Sequence, residues 1–540
     1  MKRKMSQILA IISLGFSYIF GVVPLLHAQP SIQWQKALGG TQRDRANALT
    51  RTIDGGYLVA GATRSTDGDV HGNHGSDDCW VVKLNSNGDS VWTKTLGGSS
   101  QESAQSIVET SDSGFVVAGW TTSTDGDVHG NHGTVDYWIV KLNARGDTVW
   151  TKTLGGSSND YAFSIVQTSD NGYIVAGYTL STDGDVHGNH GSYDYWIVRL
   201  NPTGDTVWTR TLGGSDSDIP SFIIKTTDDG CIVAGYTYST DGDVHGNHGG
   251  DDYWIVRLNP LGDIVWTKTL GGSTTDDASS IVQTLDADYV VAGTTLSTDG
   301  DVHGNHGLVD YWIVKMNASG DTVWTKTLGG SSYDGAKSII PSTDGGYVVA
   351  GSAQSNDGDV HGNHGTVDYW IVKLNARGDT VWTKTLGGSG GDFAQTVVQA
   401  TDSPQLGYVI AGYTQSADGD VLGSGYHGGD DFWVVKLAGD VALAVSEYPN
   451  LLPEDHTVYQ NYPNPFNPTT SIRYEIRHRR HVTLKIYDLL GQEIETLVNS
   501  DQVPGKYESK WSPKSLPSGV YFYRLQAGSF SETKKLILLR

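Results

Sequence analysis

Residues 173–214 read YIVAGYTLSTDGDVHGNHGSYDYWIVRLNPTGDTVWTRTLGG, and this stretch decides the fold because close copies of it recur along the chain. Counterparts of Tyr173 follow one another at a spacing of 58 residues from Tyr57 to Tyr347, and the last one, Tyr408, comes after 61. Two series of tryptophans, which begin at Trp34 and Trp80, give the same count. The sequence therefore predicts seven copies of one supersecondary unit.

Each copy contains four strand-like runs, which in the third copy are residues 163–168, 173–179, 195–200 and 206–212. The segments between paired runs, DNG and NPTGD, are typical of tight turns, since Gly and Asn tolerate positive φ. The run YWIVRL carries apolar residues on both faces, as a sheet covered on both sides requires. The predicted fold class is all-β, with a seven-bladed β-propeller over residues 31–438.

The first strand-like run, residues 32–38, matches the fourth strand of a repeat and precedes the first complete one. After the run of Trp433 no such strand follows. We therefore expect residues 33–38 to pair beside the strand of Trp433 and close the ring, which removes the exposed edge. An open solenoid is the alternative, and residues 441–445 are the alternative fourth strand of the last repeat.

The overall composition of the chain restricts the kinds of molecule that the protein can bind. The 540 residues carry a formal charge of −23, which disfavours nucleic acid and anionic membranes as partners. Two cysteines, Cys79 and Cys231, make no disulfide framework. A basic start and an apolar run predict a signal peptide over residues 1–28, with a retained membrane anchor as the alternative. We expect no transmembrane segment in the mature chain.

A loop rich in Asp, Asn and Gly follows the second strand of each repeat. In the first repeat it reads DGDVHGNHGSDD from Asp67 to Asp78, so that oxygen ligands alternate around a glycine as they do in calcium loops. It differs from such loops in its final Asp, where a bidentate Glu is usual, and in His71 at the fifth position. The sequence predicts one Ca²⁺ in each of six loops, and no other cofactor. The predicted ligands are Asp67, Asp69, Asn73, Asp78, Asp125, Asp127, Asn131, Asp136, Asp183, Asp185, Asn189, Asp194, Asp241, Asp243, Asn247, Asp252, Asp299, Asp301, Asn305, Asp310, Asp357, Asp359, Asn363 and Asp368.

Two other interpretations of these loops stay open. The Asp and Asn side chains can satisfy the backbone of their own turn, or pairs such as His71 and His74 can bind a transition metal. The seventh loop, from Asp418 to Asp431, lacks the HGNH core, so any site there is expected to be weaker or absent.

An acidic residue also stands at one fixed place in the connection between repeats. Closure would arrange these residues in a ring on the long-loop face, where they would attract cations, or each would hold its own Gly-Gly turn through backbone N–H groups. The seven residues are Asp44, Glu102, Asp160, Asp218, Asp276, Asp334 and Asp392.

The sequence shows no nucleophile elbow, phosphate loop or zinc-helix motif, so no catalytic residue is predicted. Residues that break the repeat, among them Arg43, Arg45, Trp120 and Pro220, form no recognisable catalytic set. Binding residues concentrate in loops on a rigid scaffold, which makes the long-loop face the candidate surface.

After residues 439–456, which we interpret as a linker, the pattern changes. Residues 457–540 open with YQNYPNPFNP from Tyr459, and strand-like runs follow at 471–476, 482–487, 507–511, 520–527 and 535–539. These runs predict a small Ig-like β-sandwich. The opening motif, Ile486-Tyr487-Asp488, Gly491-Gln492 and the run from Ser518 to Tyr521 closely resemble the C-terminal sorting domain of the type IX secretion system. The resemblance implies the secretion machinery as a partner and a secreted or outer-surface location.

Three functions follow as hypotheses. The first is a secreted or cell-surface binding and scaffold protein that contacts a glycan or a protein through its long-loop face. The second is a secreted polysaccharide hydrolase or lyase that uses carboxylates at the channel mouth. The third is a structural component of the surface layer.

Overall fold

The computed structural model describes residues 29–284, 286–400, 407–439, 457–476, 480–502, 505–513, 516–528 and 530–539. The predicted signal peptide (1–28) and all but the first residue of the predicted linker (440–456) lie outside these residues. The chain divides into two compact units, Met1–Ala442 and Leu443–Arg540. The described residues are all-β, with one 3₁₀ helix at Gly419–Val421.

The first unit contains strands β1–β28. Strand β1 (Ile32–Leu38) comes first, and the next twelve build the first three sheets: β2 (Asp44–Arg51), β3 (Tyr57–Thr63), β4 (Asp78–Leu84), β5 (Ser90–Leu96), β6 (Glu102–Glu109), β7 (Phe115–Thr121), β8 (Asp136–Leu142), β9 (Thr148–Leu154), β10 (Asp160–Gln167), β11 (Tyr173–Thr179), β12 (Asp194–Leu200) and β13 (Thr206–Leu212). The remaining fifteen are β14 (Asp218–Lys225), β15 (Cys231–Thr237), β16 (Asp252–Leu258), β17 (Ile264–Leu270), β18 (Asp276–Gln283), β19 (Tyr289–Thr295), β20 (Asp310–Met316), β21 (Thr322–Leu328), β22 (Asp334–Pro341), β23 (Tyr347–Ala353), β24 (Asp368–Leu374), β25 (Thr380–Leu386), β26 (Asp392–Gln399), β27 (Tyr408–Thr414) and β28 (Asp431–Leu437).

These strands form seven four-stranded antiparallel sheets. Six consist of four consecutive strands, from β2-β3-β4-β5 to β22-β23-β24-β25. The many four-stranded sheets and the almost complete lack of helix agree with the predicted all-β class. In the third repeat the second and fourth strands have the predicted bounds. The first begins three residues earlier than predicted, before a bulge between Ala162 and Ser164.

The seventh sheet has the order β1-β28-β27-β26, so its fourth strand comes from the start of the unit. Strand β1 pairs antiparallel with β28, with Ala37 opposite Trp433. The Nε1 of Trp433 donates a hydrogen bond to Gln35 Oε1 at 3.0 Å. The predicted pairing of residues 33–38 with the strand of Trp433 is therefore present. Residues 441–445 lie outside the described residues.

Successive sheets pack face to face. The first strand of each sheet contacts the first two strands of the preceding sheet, and β2 of the first sheet contacts β26 and β27 of the seventh. Tyrosines of the third strands fix neighbouring sheets: Tyr137 lies 4.5 Å from the ring of Trp196, and its hydroxyl donates to the Trp196 carbonyl at 2.8 Å. Both faces of every sheet are consequently covered by apolar clusters.

The second unit contains seven strands: β29 (Thr457–Val458), β30 (Thr470–Ile476), β31 (Arg480–Tyr487), β32 (Glu493–Gln502), β33 (Gly505–Trp511), β34 (Gly519–Ala527) and β35 (Phe530–Leu538). They form a three-stranded sheet, β29-β30-β33, and a four-stranded sheet, β32-β31-β34-β35. One apolar core that includes Ile472, Leu484, Trp511 and Leu525 joins the two sheets. Across the described residues no helix has both the length and the apolar character to cross a bilayer.

Candidate functional site

A cavity of about 810 Å³, which we call the channel, is lined by the first strands of all seven sheets of the first unit. Six positions at its long-loop end differ from repeat to repeat, whereas the single residues that alternate with them, at the positions of Asp44, Ala46 and Thr63, barely change. We call these six positions the mouth. They are the positions of Arg43, Arg45 and Asn47 on and before β2, of Ala62 and Arg64 at the end of β3, and of Asp77 just before β4.

One sector of the mouth is basic and internally paired. Asp77, 5% exposed, accepts hydrogen bonds from Arg43 Nη2 at 2.7 Å and from Arg64 Nε and Nη2 at 3.0 and 2.8 Å. Asp430 accepts one from Arg45 Nε at 2.5 Å. A pocket of about 430 Å³ opens beside these arginines and reaches Trp120 of the second repeat. The structure thus brings together Arg43, Arg45 and Trp120. In the sequence these residues are exceptions to the repeat with no evident relation to one another.

The next sector is aromatic. Trp120 and Tyr161 have ring centroids 5.4 Å apart, and Tyr161 and Tyr178 follow at 5.1 Å. Tyr193 continues the series 4.8 Å from Tyr178. All four rings are half-buried. Rings arranged in this way give a rigid apolar surface with hydroxyl groups at its border, and such surfaces are typical of ligand contacts.

The third sector is acidic. Asp251, which is buried, lies against Asp277 and Tyr238, and Tyr236 stands beside them. Burial and then the neighbouring Asp251 raise the pKa of Asp277 to about 8. Asp277 is therefore protonated at neutral pH, since two adjacent buried charges are unfavourable.

The predicted calcium ligands occupy the loops beside the mouth. In the first loop Asp67 Oδ1 accepts the N–H of Thr41 at 2.8 Å, and Asp69 Oδ2 accepts that of Gly39 at 3.3 Å. Both partners belong to the preceding connection, so these aspartates join the loop to the Gly-Gly turn. The hydrogen bond from Thr41 holds the pKa of Asp67 below its usual value.

The other two predicted ligands of that loop also form hydrogen bonds within the protein. Asn73 accepts the N–H of Gly75 at 3.0 Å and donates to the carbonyl of Thr63 at 3.2 Å. Asp78 is fully buried and accepts the N–H of His74 at 2.9 Å, with His74 Nδ1 2.7 Å away. The other five predicted loops repeat most of these contacts.

These contacts are those of the turn-stabilising alternative. In the part of the chain that the structure describes, no group of three or more His, Cys, Asp or Glu side chains is placed to hold a metal ion. One oxygen of Asp78 and of each of its six counterparts nevertheless has no hydrogen-bond partner. The calcium sites stay a prediction.

The seven fixed acids are fully buried, and none of them lines the channel. In the third repeat Asp160 Oδ2 accepts the N–H of Gly156 and the hydroxyl of Ser181, both at 2.8 Å, and Oδ1 accepts the hydroxyl of Thr179. A Cβ on Gly155 would lie 2.6 Å from both Asp160 Oδ2 and Asp136 Oδ1, so the two carboxyls flank this glycine. The hypothesis of a cation-attracting ring is wrong, because each acid holds its own Gly-Gly turn.

The six mouth positions were not predicted from the sequence as one set. A position-by-position comparison of the seven repeats would have found it. The position of Asp77 holds Asp, Val, Tyr, Asp, Val, Val and Asp in turn, whereas the next position is always Asp.

The comparisons with known proteins concern the two units differently. Residues 460–539 match the model of the secretion system C-terminal sorting domain. The regulatory protein FlaEY of Caulobacter vibrioides is 23% identical over 422 residues, which are 68% of this chain and 43% of that protein. The chain thus spans less than half the length of this curated relative.

Two solved structures are similar at low scores. PorZ, an essential surface component of the type IX secretion system of Porphyromonas gingivalis, gives 13% identity and a TM-score of 0.36, with 91% of this chain and 59% of that chain covered. A Synechocystis apocarotenoid oxygenase mutant gives 11% identity and a TM-score of 0.34, with 67% and 95% covered. At these scores neither match supports an inference.

The motifs from Tyr459 onward and the match over residues 460–539 agree. This chain carries a type IX secretion C-terminal sorting domain and is a secreted or cell-surface protein.

Proposed function

We propose that this protein is a secreted or surface-displayed binding protein whose ligand, a glycan or a protein, contacts the mouth. One observation carries the proposal. Seven copies that agree at the residues needed for folding differ at six positions around one end of one channel. Packing does not require that difference, because every sheet has the same strands and the same buried tryptophan. Ligand contact provides a reason for it.

We also infer that the seven sheets are the blades of a closed β-propeller. Three features support this: the pairing of β1 with β28, the packing of β2 against β26 and β27, and the channel lined by every first strand. The second unit fits an Ig-like sandwich, because its two sheets share one apolar core.

Glycan and protein arrays probed with the purified chain test the binding function. Trp120→Thr copies the residue that the fifth repeat has at this position, Thr294, and should abolish binding without loss of stability. Val149→Ala, at an exposed site on β9, is the matched control and should bind normally.

Binding that survives Trp120→Thr and similar changes in the other sectors would refute the mouth as the binding surface. Turnover of a bound polysaccharide, lost in the same variants, would favour the hydrolase or lyase.

A further inference from the structure

Three repeats have an aspartate at the last mouth position, and two of these aspartates are bound by arginine. Asp77 lies between Arg43 and Arg64. Asp430 accepts hydrogen bonds from Arg45 Nε and, at 2.8 Å, from Gln415 Nε2. A carboxylate buried at this position is therefore compensated by a guanidinium group in both cases.

The third aspartate, Asp251, has no such partner. The residue that corresponds to Arg45 in the next repeat is Asp277, and the one that corresponds to Arg64 is Tyr238. Asp251 is 2% exposed, and apart from the contacts of Asp251 with Asp277 and Tyr238, the Oδ1 atoms of the two aspartates have no hydrogen-bond partner. A second carboxyl thus stands where the equivalent site has a guanidinium group in direct contact with the aspartate.

The groups around this pair are partly open to solvent. Asp277 is half-buried, and the rings of Tyr238 and Tyr333 are each 46% exposed. Lys337 lines the channel nearby and its charge acts on Asp277, although these two described side chains form no ion pair. Exposed aromatic faces attract a cation by their quadrupole and also stack against sugar rings.

We propose that Asp251 and Asp277 bind a cationic nitrogen supplied by the ligand, and that the ligand is a glycan with free amino groups. The proposal rests on the proposed function, since it places the amino group at the mouth. The ligand ammonium takes the place that the guanidinium of Arg45 has beside Asp430. The adjacent tyrosines and the aromatic sector then contact the sugar rings, and N-acetylation removes the charge that the pair requires.

The test compares a glucosamine hexamer with an N-acetylglucosamine hexamer by calorimetry on the full chain. Two variants each replace one aspartate of the pair by the residue that another repeat has at the same position. They are Asp251→Val, after Val135, and Asp277→Ser, after Ser103. Asp216→Ser is the charge-matched control, because Asp216 is exposed on the same face and is Ser in the third repeat.

The glucosamine hexamer should bind at least about tenfold more tightly than the acetylated one. Each pair variant should lose at least about thirtyfold, as for a truncated buried charge pair. Asp216→Ser should stay within about twofold, since an exposed charge contributes little. Lys337→Gln should bind more tightly, because a like charge is removed; a purely structural role of the pair would not produce this gain.

Equal binding of the two hexamers, absence of binding by the glucosamine hexamer, or full binding by Asp251→Val would overturn the proposal. Where both hexamers bind equally and Trp120→Thr abolishes that binding, only the amino-group assignment fails. Where Trp120→Thr has no effect on that binding either, the proposed function fails as well.

Discussion

Asp160→Ala should destabilise the first unit, because the buried carboxyl of Asp160 accepts hydrogen bonds from three groups. These are the N–H of Gly156 and the hydroxyls of Ser181 and Thr179. Alanine leaves all three donors without a partner in a place that water does not reach.

The magnitude follows from the number of donors. A buried donor without a partner costs about 1–3 kcal/mol. Alanine also relieves the unfavourable burial of a carboxyl beside Asp136, which raises the pKa of Asp160. The net loss in the free energy of unfolding should therefore lie at the lower end of the range for three donors, about 3 kcal/mol. For a unit of this size that corresponds to roughly 3–6 °C in melting temperature.

Melting followed by circular dichroism measures the loss, with Asp160→Glu as the matched variant. The second repeat already has glutamate at this position, where Glu102 Oε2 accepts the N–H of Gly98 at 2.8 Å and Oε1 the hydroxyl of Thr121 at 2.7 Å. Glutamate keeps two of the three hydrogen bonds, so Asp160→Glu should lose about a third as much as Asp160→Ala, roughly 1–2 °C.

The pH dependence gives a second measurement. Burial raises the pKa of Asp160 in the folded chain above its unfolded value, so the folded state binds more protons. The pH-dependent part of the stability that this carboxyl contributes is complete below the unfolded pKa and is lost as the pH rises through the folded pKa. The deficit of Asp160→Ala should thus be larger at pH 4 than at pH 8. An unchanged melting temperature, or equal losses for Ala and Glu, would refute the reasoning.

Three further predictions concern other parts of the chain. A chain without its predicted signal peptide that begins at Gly39 instead of Gln29 should have a lower melting temperature, because β28 loses its pairing with β1 and Trp433 loses its hydrogen bond to Gln35. A synthetic peptide of residues 29–40 should restore the melting temperature. An unchanged melting temperature of the shortened chain would contradict ring closure. Ala287→Gly should stabilise the first unit by about 1 kcal/mol, because Ala287 has a φ of +65°, which favours glycine. Gly345→Ala, at the same turn position of the next repeat, should destabilise the first unit by a similar amount. Calcium should raise the melting temperature relative to a chelator if the Asp67 loop and its five counterparts bind the ion as predicted; equal temperatures would remove the calcium prediction.

Most of the first unit could be predicted from sequence because its signals repeat seven times. Strand β11 matches its predicted bounds, since a Gly-containing turn precedes it and an Asp-rich loop follows it. The start of β10 could not be placed, because the bulge between Ala162 and Ser164 breaks the period of two on which strand prediction depends. Repetition gives the number of strands and sheets, but local irregularities set their ends.

The second unit shows the same limit. Strand β32, Glu493–Gln502, was not predicted, although it is ten residues long. Its pairing with β31 shifts register between Leu484 and Lys485, and both Leu497 and Val498 pack against the core. Two consecutive residues on the same side of a strand do not alternate, so the segment lacks the sequence pattern of a strand.

The site contains one feature that alternation alone could have predicted. Asp44 stands between Arg43 and Arg45, and neighbouring residues of a strand point to opposite faces. The residues on either side of each fixed acid vary among repeats, which is expected of a face that contacts a ligand. The fixed acid must then point to the other face, into the packing between sheets, and the structure shows it buried there. A constant residue between two variable ones therefore indicates a structural carboxylate, and the ligand contacts are to be sought among its variable neighbours.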